Sequence, residues 1–154
     1  MKAIVVKNNE DTGKTTTLID LLSIFRLNGC TGLSQGDLGL DKSQHDFWAH
    51  FTYKGKKIGI VSAGDPKDSR KETIPPQKDK LEDFYLRGKP PFDIIVCASR
   101  TKGEPLSIIT TLFPSDSIVW FSNFTSKQNH SILNNCSAKA IFDLVDRFIA
   151  NGIV

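Results

Sequence analysis

The sequence predicts an open α/β fold: a mostly parallel sheet with helices on both faces and one antiparallel hairpin strand. Three observations carry this. Short apolar runs at 2–7, 93–98 and 117–121 lack alternation, as strands buried on both faces do. Stretches of helical periodicity fall between and after them. Two alternating runs, 46–53 and 56–62, meet at Lys54-Gly55, a two-residue loop with glycine second. Strand and helix in alternation imply parallel pairing with crossover helices.

Each element has a local reason. Residues 2–7 are β-branched and apolar, which predicts a central strand of the parallel sheet. A polar loop, 8–13, ends in glycine. A helix over 14–28 follows, with Leu18, Leu21, Leu22 and Phe25 on one stripe and Asn28-Gly29 as its stop. Residues 30–44 read as irregular, since Gly32, Gly36 and Gly39 interrupt any period. In the hairpin, Phe47, Ala49, Phe51 and Tyr53 alternate with Trp48, His50 and Thr52, and its extra strand is expected at a sheet edge. Residues 63–80, with Pro66, Pro75 and Pro76 and many charges, read as a long mobile loop; 80–86 suits a short helix. Pro105 suits the first turn of a helix over 104–113. Ile141, Leu144, Val145, Phe148 and Ile149 form the stripe of a helix over 137–151, closed by Asn151-Gly152.

Composition bounds the class. A chain of 154 residues suits a single domain, 1–154. With 39% apolar and 24% charged residues it is neither disordered nor fibrous. No apolar run approaches the ~20 residues of a membrane span or the ~7–15 of a signal peptide. Cys30, Cys97 and Cys136 form no CxxC pair, so a disulfide framework or zinc site is not expected, and a cytoplasmic setting is. A net charge of +3 permits a polyanionic ligand without indicating nucleic acid. His45, His50 and His130 share no metal-ligand spacing. His50, opposite Phe47 and Phe51, is expected in solvent; Trp48, Trp120 and Cys97 are expected to pack.

One motif carries chemistry. In this α/β class the ligand lies beyond the carboxyl ends of the strands. The first of those ends reads Asn8-Asn9-Glu10-Asp11-Thr12-Gly13-Lys14-Thr15, between a strand and a helix. It fits GxxxxGK[ST], with Asn8 in place of the first glycine. Loop N–H groups and the helix dipole attract phosphate there. Gly13 lets the backbone approach phosphate oxygens, Lys14 supplies a cation to the terminal phosphates, and the Thr15 hydroxyl suits Mg²⁺. Asparagine tolerates the left-handed angles a loop glycine takes.

This segment resembles the P-loop NTPase superfamily, which implies a three-layer P-loop NTPase-like fold. Gly13-Lys14-Thr15-Thr16-Thr17 is similar to the loops of partitioning-type ATPases and signal-recognition GTPases. Partitioning ATPases also carry a lysine four residues before the loop glycine, where this chain has Asn9. The resemblance implies a nucleoside triphosphate, ATP or GTP, bound with Mg²⁺ by Asn9, Glu10, Asp11, Thr12, Gly13, Lys14, Thr15 and Thr16.

The other strand ends bear on turnover. A hydrolytic P-loop protein usually has an acid closing the strand beside the loop. Here that strand ends at Ser62, and Asp65 follows on a glycine-flanked turn. Asp65 is the candidate for metal and catalysis, with Lys14; Asp37, in a GDLG turn, is a weaker one. Arg100 and Lys102, after the 93–98 strand, could meet phosphate charge, with Arg100 the stronger candidate. Thr101-Lys102-Gly103-Glu104 and Ser137-Ala138-Lys139 are faintly similar to base-reading elements of Ras-like GTPases, but the aspartate of their DxxG element is missing at Val61. The expectation is a Mg²⁺-dependent ATPase-type switch with a possible protein partner at the Lys54, Lys56, Lys57 tip. Alternatives are a small phosphotransferase, a GTP-binding protein, or a nucleotide-binding module without turnover. A kinase lid is usually arginine-rich, and 64–80 holds only Arg70.

Overall fold

A computed structural model describes residues 1–7, 13–37, 46–62, 92–99, 104–126 and 128–154. The elements are β1 (Lys2–Lys7), α1 (Lys14–Leu27), β2 (Thr31–Asp37), β3 (Phe47–Tyr53), β4 (Lys56–Val61), β5 (Ile94–Ser99), α2 (Glu104–Leu112), a 3₁₀ turn (Ser115–Ser117), β6 (Ile118–Phe121) and α3 (His130–Ala150). The strands form one sheet in the order β2-β3-β4-β5-β1-β6. β1 pairs parallel with β5 and β6, and β4 with β5. β3 pairs antiparallel with β2 and β4, so β3 alone runs against the rest.

Alternation along the strands divides the core into two layers. Ile4, Val6, Ile58, Ile60, Ile94, Val96 and Ala98 face α1 and α3, which add Leu18, Leu21, Phe25, Ala138, Ile141 and Val145. Phe25 anchors this layer, with ring centroids 4.8 Å from Phe51, 5.1 Å from Tyr53 and 5.0 Å from Phe142. On the other face Ala3, Val5, Ile95 and Cys97 meet Ile109 of α2 and Phe113 after it. Cys97 is core, as its strand predicts.

Five expectations need correction. The stretch read as irregular holds β2. Its glycines lack strand propensity, but pairing with β3 overrides that. A register shift between Thr31 and Ser34 absorbs the local irregularity. β2, not the hairpin strand, is therefore the edge, and β3 lies inside. β1 is interior with parallel neighbours on both sides, but one place from the β6 edge rather than central. β6 is that edge, so Trp120 is 45% exposed where a buried strand was expected. Finally, α3 begins at His130, well before the expected start at 137, after Asn129 in a left-handed conformation. The loop over 63–80 and the helix over 80–86 lie outside the described residues.

Candidate nucleotide site

The parallel strands end at one edge of the sheet, and α1 starts there. Gly13 caps α1 at φ 73°, ψ 21°, a left-handed conformation that glycine adopts without steric cost. Its other constraint is tertiary. An ideal Cβ on Gly13 would lie 2.7 Å from Asn134 Nδ2 and 2.9 Å from Asn134 Cγ. Any larger residue meets α3 as well as backbone strain.

Lys14 opens α1 and is only 7% exposed. Burying a lysine is costly unless its ammonium is compensated, so its position at a helix N-terminus is a specific feature. Thr15 follows, half-buried, and its Oγ1 donates to Asp46 Oδ1 at 3.2 Å. The Ser62 hydroxyl donates to the same Oδ1 at 3.1 Å. Ser62 is fixed in turn: its Oγ accepts from Phe47 N at 2.8 Å, and its N donates to Phe47 O at 2.9 Å. Thr16 points outward and is exposed, away from this cluster. Thr17 is wholly buried, accepting from Asn123 Nδ2 at 3.0 Å and donating to Asn134 Oδ1 at 3.5 Å.

Gly13, Lys14 and Thr15 thus sit together at the start of α1. Asn9, Glu10, Asp11, Thr12, Asp65, Arg100 and Lys102 lie outside the described residues. Asp37 ends β2 opposite Phe47, which puts it at the same sheet edge as Asp46.

Asp46 escaped the sequence reading, as did Asn123 and Asn134. The fold class directs attention to the carboxyl ends of parallel strands, whereas Asp46 precedes an antiparallel one. The register held the signal. Tyr53 pairs with Lys56 across the turn, and counting back pairs Trp48 with Val61. The start of β3 therefore lies beside the end of β4, the place where an acid was sought. No comparable signal existed for Asn134, whose contact with Gly13 spans most of the chain.

The oxygen set suits Mg²⁺. This hard cation binds through one or two carboxylates, hydroxyls and substrate phosphates while keeping several waters. Thr15 Oγ1 and Asp46 Oδ1 offer a hydroxyl and a carboxylate at hydrogen-bond separation. Among the described residues no three or more His, Cys, Asp or Glu converge as a metal cluster.

Two other expected surface and packing residues differ from their reading. His50 is half-buried, stacked 5.7 Å from Trp48 at 15° and 6.2 Å from Phe92. Burial first, and the Lys57 charge second, hold its pKa below the ordinary value. Trp120 is exposed beneath the Lys7 ammonium, 4.9 Å from the ring centroid. Among the described residues no helix is long and apolar enough to cross a membrane. Neither a protein-family model, nor a curated protein, nor a solved structure matches this chain.

Proposed function

We propose that the chain is a cytoplasmic P-loop nucleotide-binding protein that acts as a Mg²⁺-dependent ATPase-type switch. The observation that carries the reading is the junction of β1 and α1: a left-handed Gly13, a buried Lys14 and a Thr15 hydroxyl bonded to Asp46. It supports a loop that takes polyphosphate at a helix N-terminus, where N–H groups and the dipole favour anions.

In this reading Lys14 neutralises the terminal phosphates. Thr15 and Asp46 would hold Mg²⁺, whose charge offsets that of the phosphates when bound. Asp46 takes the role the sequence assigned to Asp65, because its carboxylate sits on the Thr15 hydroxyl. Ser62, where a strand-end acid was sought, holds that carboxylate in place. In hydrolysis a water oxygen bonds to the γ-phosphorus as the bridging bond to the β-phosphate breaks. The water proton leaves to solvent, releasing ADP and phosphate. GTP in place of ATP remains the alternative ligand.

The test is a titration of ATP and GTP against wild type, Lys14→Ala and Thr15→Ala, with and without Mg²⁺, alongside phosphate release. Losing the lysine contact should weaken binding roughly 10- to 150-fold. Thr15→Ala should weaken it mainly when Mg²⁺ is present. A Lys14→Ala protein that binds both nucleotides as well as wild type does would overturn the reading.

A further inference from the structure

The second turn of α3 touches the start of α1 at Gly13. The Asn134 amide, 6% exposed, fills the space that a Gly13 side chain would need. One turn along α1, Thr17 links Asn134 to Asn123, just after β6. The Thr17–Asn134 bond is at the long limit, so packing against Gly13 is the firmer constraint. Just after Asn123, Phe124 N donates to Ser137 Oγ at 2.9 Å, fixing the approach of α3 a second time. Buried amides and hydroxyls are costly unless bonded, and adhesion alone would be met by apolar groups. A bonded polar cluster instead specifies one arrangement of its members.

We propose that Asn134 is a positioning residue for the phosphate loop: it fixes the place and the left-handed conformation of Gly13, so that nucleotide affinity depends on how α3 docks. The proposal rests on the reading of 8–15 as a nucleotide loop. Its mechanism is steric and needs no contact between Asn134 and the nucleotide. An element at the far end of the sequence thereby shares control of a site near the start.

The full chain is compared as wild type, Gly13→Ala, Asn134→Ala and the double variant. ATP with Mg²⁺ is titrated by calorimetry, and thermal unfolding is followed without nucleotide. Asn134→Ala should weaken ATP binding about 5- to 30-fold in protein that remains folded. Gly13→Ala should weaken it about 100-fold or more, from steric conflict with the amide added to backbone strain. In the Asn134→Ala background the same step should cost only about 5- to 10-fold, because backbone strain alone remains. Asn134→Ser keeps a hydrogen-bonding group for Thr17, so it should retain the fold even if Asn134→Ala does not, and still lose affinity. An equal Gly13→Ala penalty in both backgrounds, or Asn134 variants that bind ATP like wild type, overturns the proposal while leaving the nucleotide reading intact. Wild type that binds neither ATP nor GTP overturns both.

Discussion

Two aspartates at opposite ends of the sheet make the same kind of contact in different surroundings. Asp46, at the end where α1 starts, accepts the Thr15 and Ser62 hydroxyls on one oxygen. Asp146, on α3, accepts the Tyr53 hydroxyl at 3.1 Å and the Lys54 ammonium at 2.5 Å on one oxygen. Ser62 is 1% exposed, whereas the Lys54 side chain is 52% exposed. The Asp146 cluster is a latch: it ties the hairpin turn to the last helix and is screened by water and salt. The Asp46 cluster involves a hydroxyl from the first turn of α1 and a serine held by two backbone contacts. At the strand ends Ser62 is buried beneath a half-buried Thr15 and Asp46, whereas at the hairpin turn Tyr53 is buried but the Lys54 ammonium stays in solvent. A polar group is worth burying where its position matters, and this distinguishes a candidate site from a surface ion pair.

The comparison can be broken most sharply at Asp46. Asp46→Asn keeps the shape but removes the charge from the Thr15 hydroxyl. The free Mg²⁺ needed for half-maximal ATP binding should rise about 10- to 100-fold. Unchanged Mg²⁺ dependence would reduce Asp46 to a structural acceptor and return the metal role to Asp65.

His50 sharpens the contrast on the sheet face opposite α1 and α3. Its pKa is depressed, so the folded state disfavours the charged imidazole. For a base held below its ordinary 6.5, the stabilisation is complete above that value and is lost as pH falls through the lower folded pKa. Wild type should therefore lose unfolding midpoint as pH falls below 6.5, and His50→Gln should lose less. Parallel pH profiles for the two proteins would show that the Trp48–His50–Phe92 stack does not sense protonation.

The smallest effect belongs to the latch. The Lys54 hydrogen bond is the main cause holding the Asp146 carboxyl below its usual range. A depressed acid contributes stability above its unfolded value, here 3.8, and loses it as pH falls through the folded pKa. Asp146→Asn should lower the unfolding midpoint slightly at neutral pH and not at all well below pH 3.8. It should leave ATP affinity unchanged. A nucleotide effect from this variant would mean that α3 transmits the state of the hairpin turn to the phosphate end.

Much of this molecule was legible in its residues because the relevant forces are local. Five of the strands and the stretch from Lys14 to Leu27 follow from period and apolar content. The Lys54-Gly55 turn takes positive φ at both positions, 47° and 76°, as hairpin turns of this length do. Gly13, Lys14 and Thr15 were recognisable as a motif between strand and helix. What only tertiary structure decided was non-local. β2 exists because β3 offers it hydrogen-bonding partners, against the preference of its own glycines. Trp120 is exposed because β6 fell at an edge, a matter of strand order and not of composition. Asp46 reaches Thr15, and Asn134 reaches Gly13, only once the sheet has set its register and α3 has docked on α1. Periodicity reports which side of an element is buried. It carries no information on which residue, 31 or more than a hundred positions away, arrives to face it.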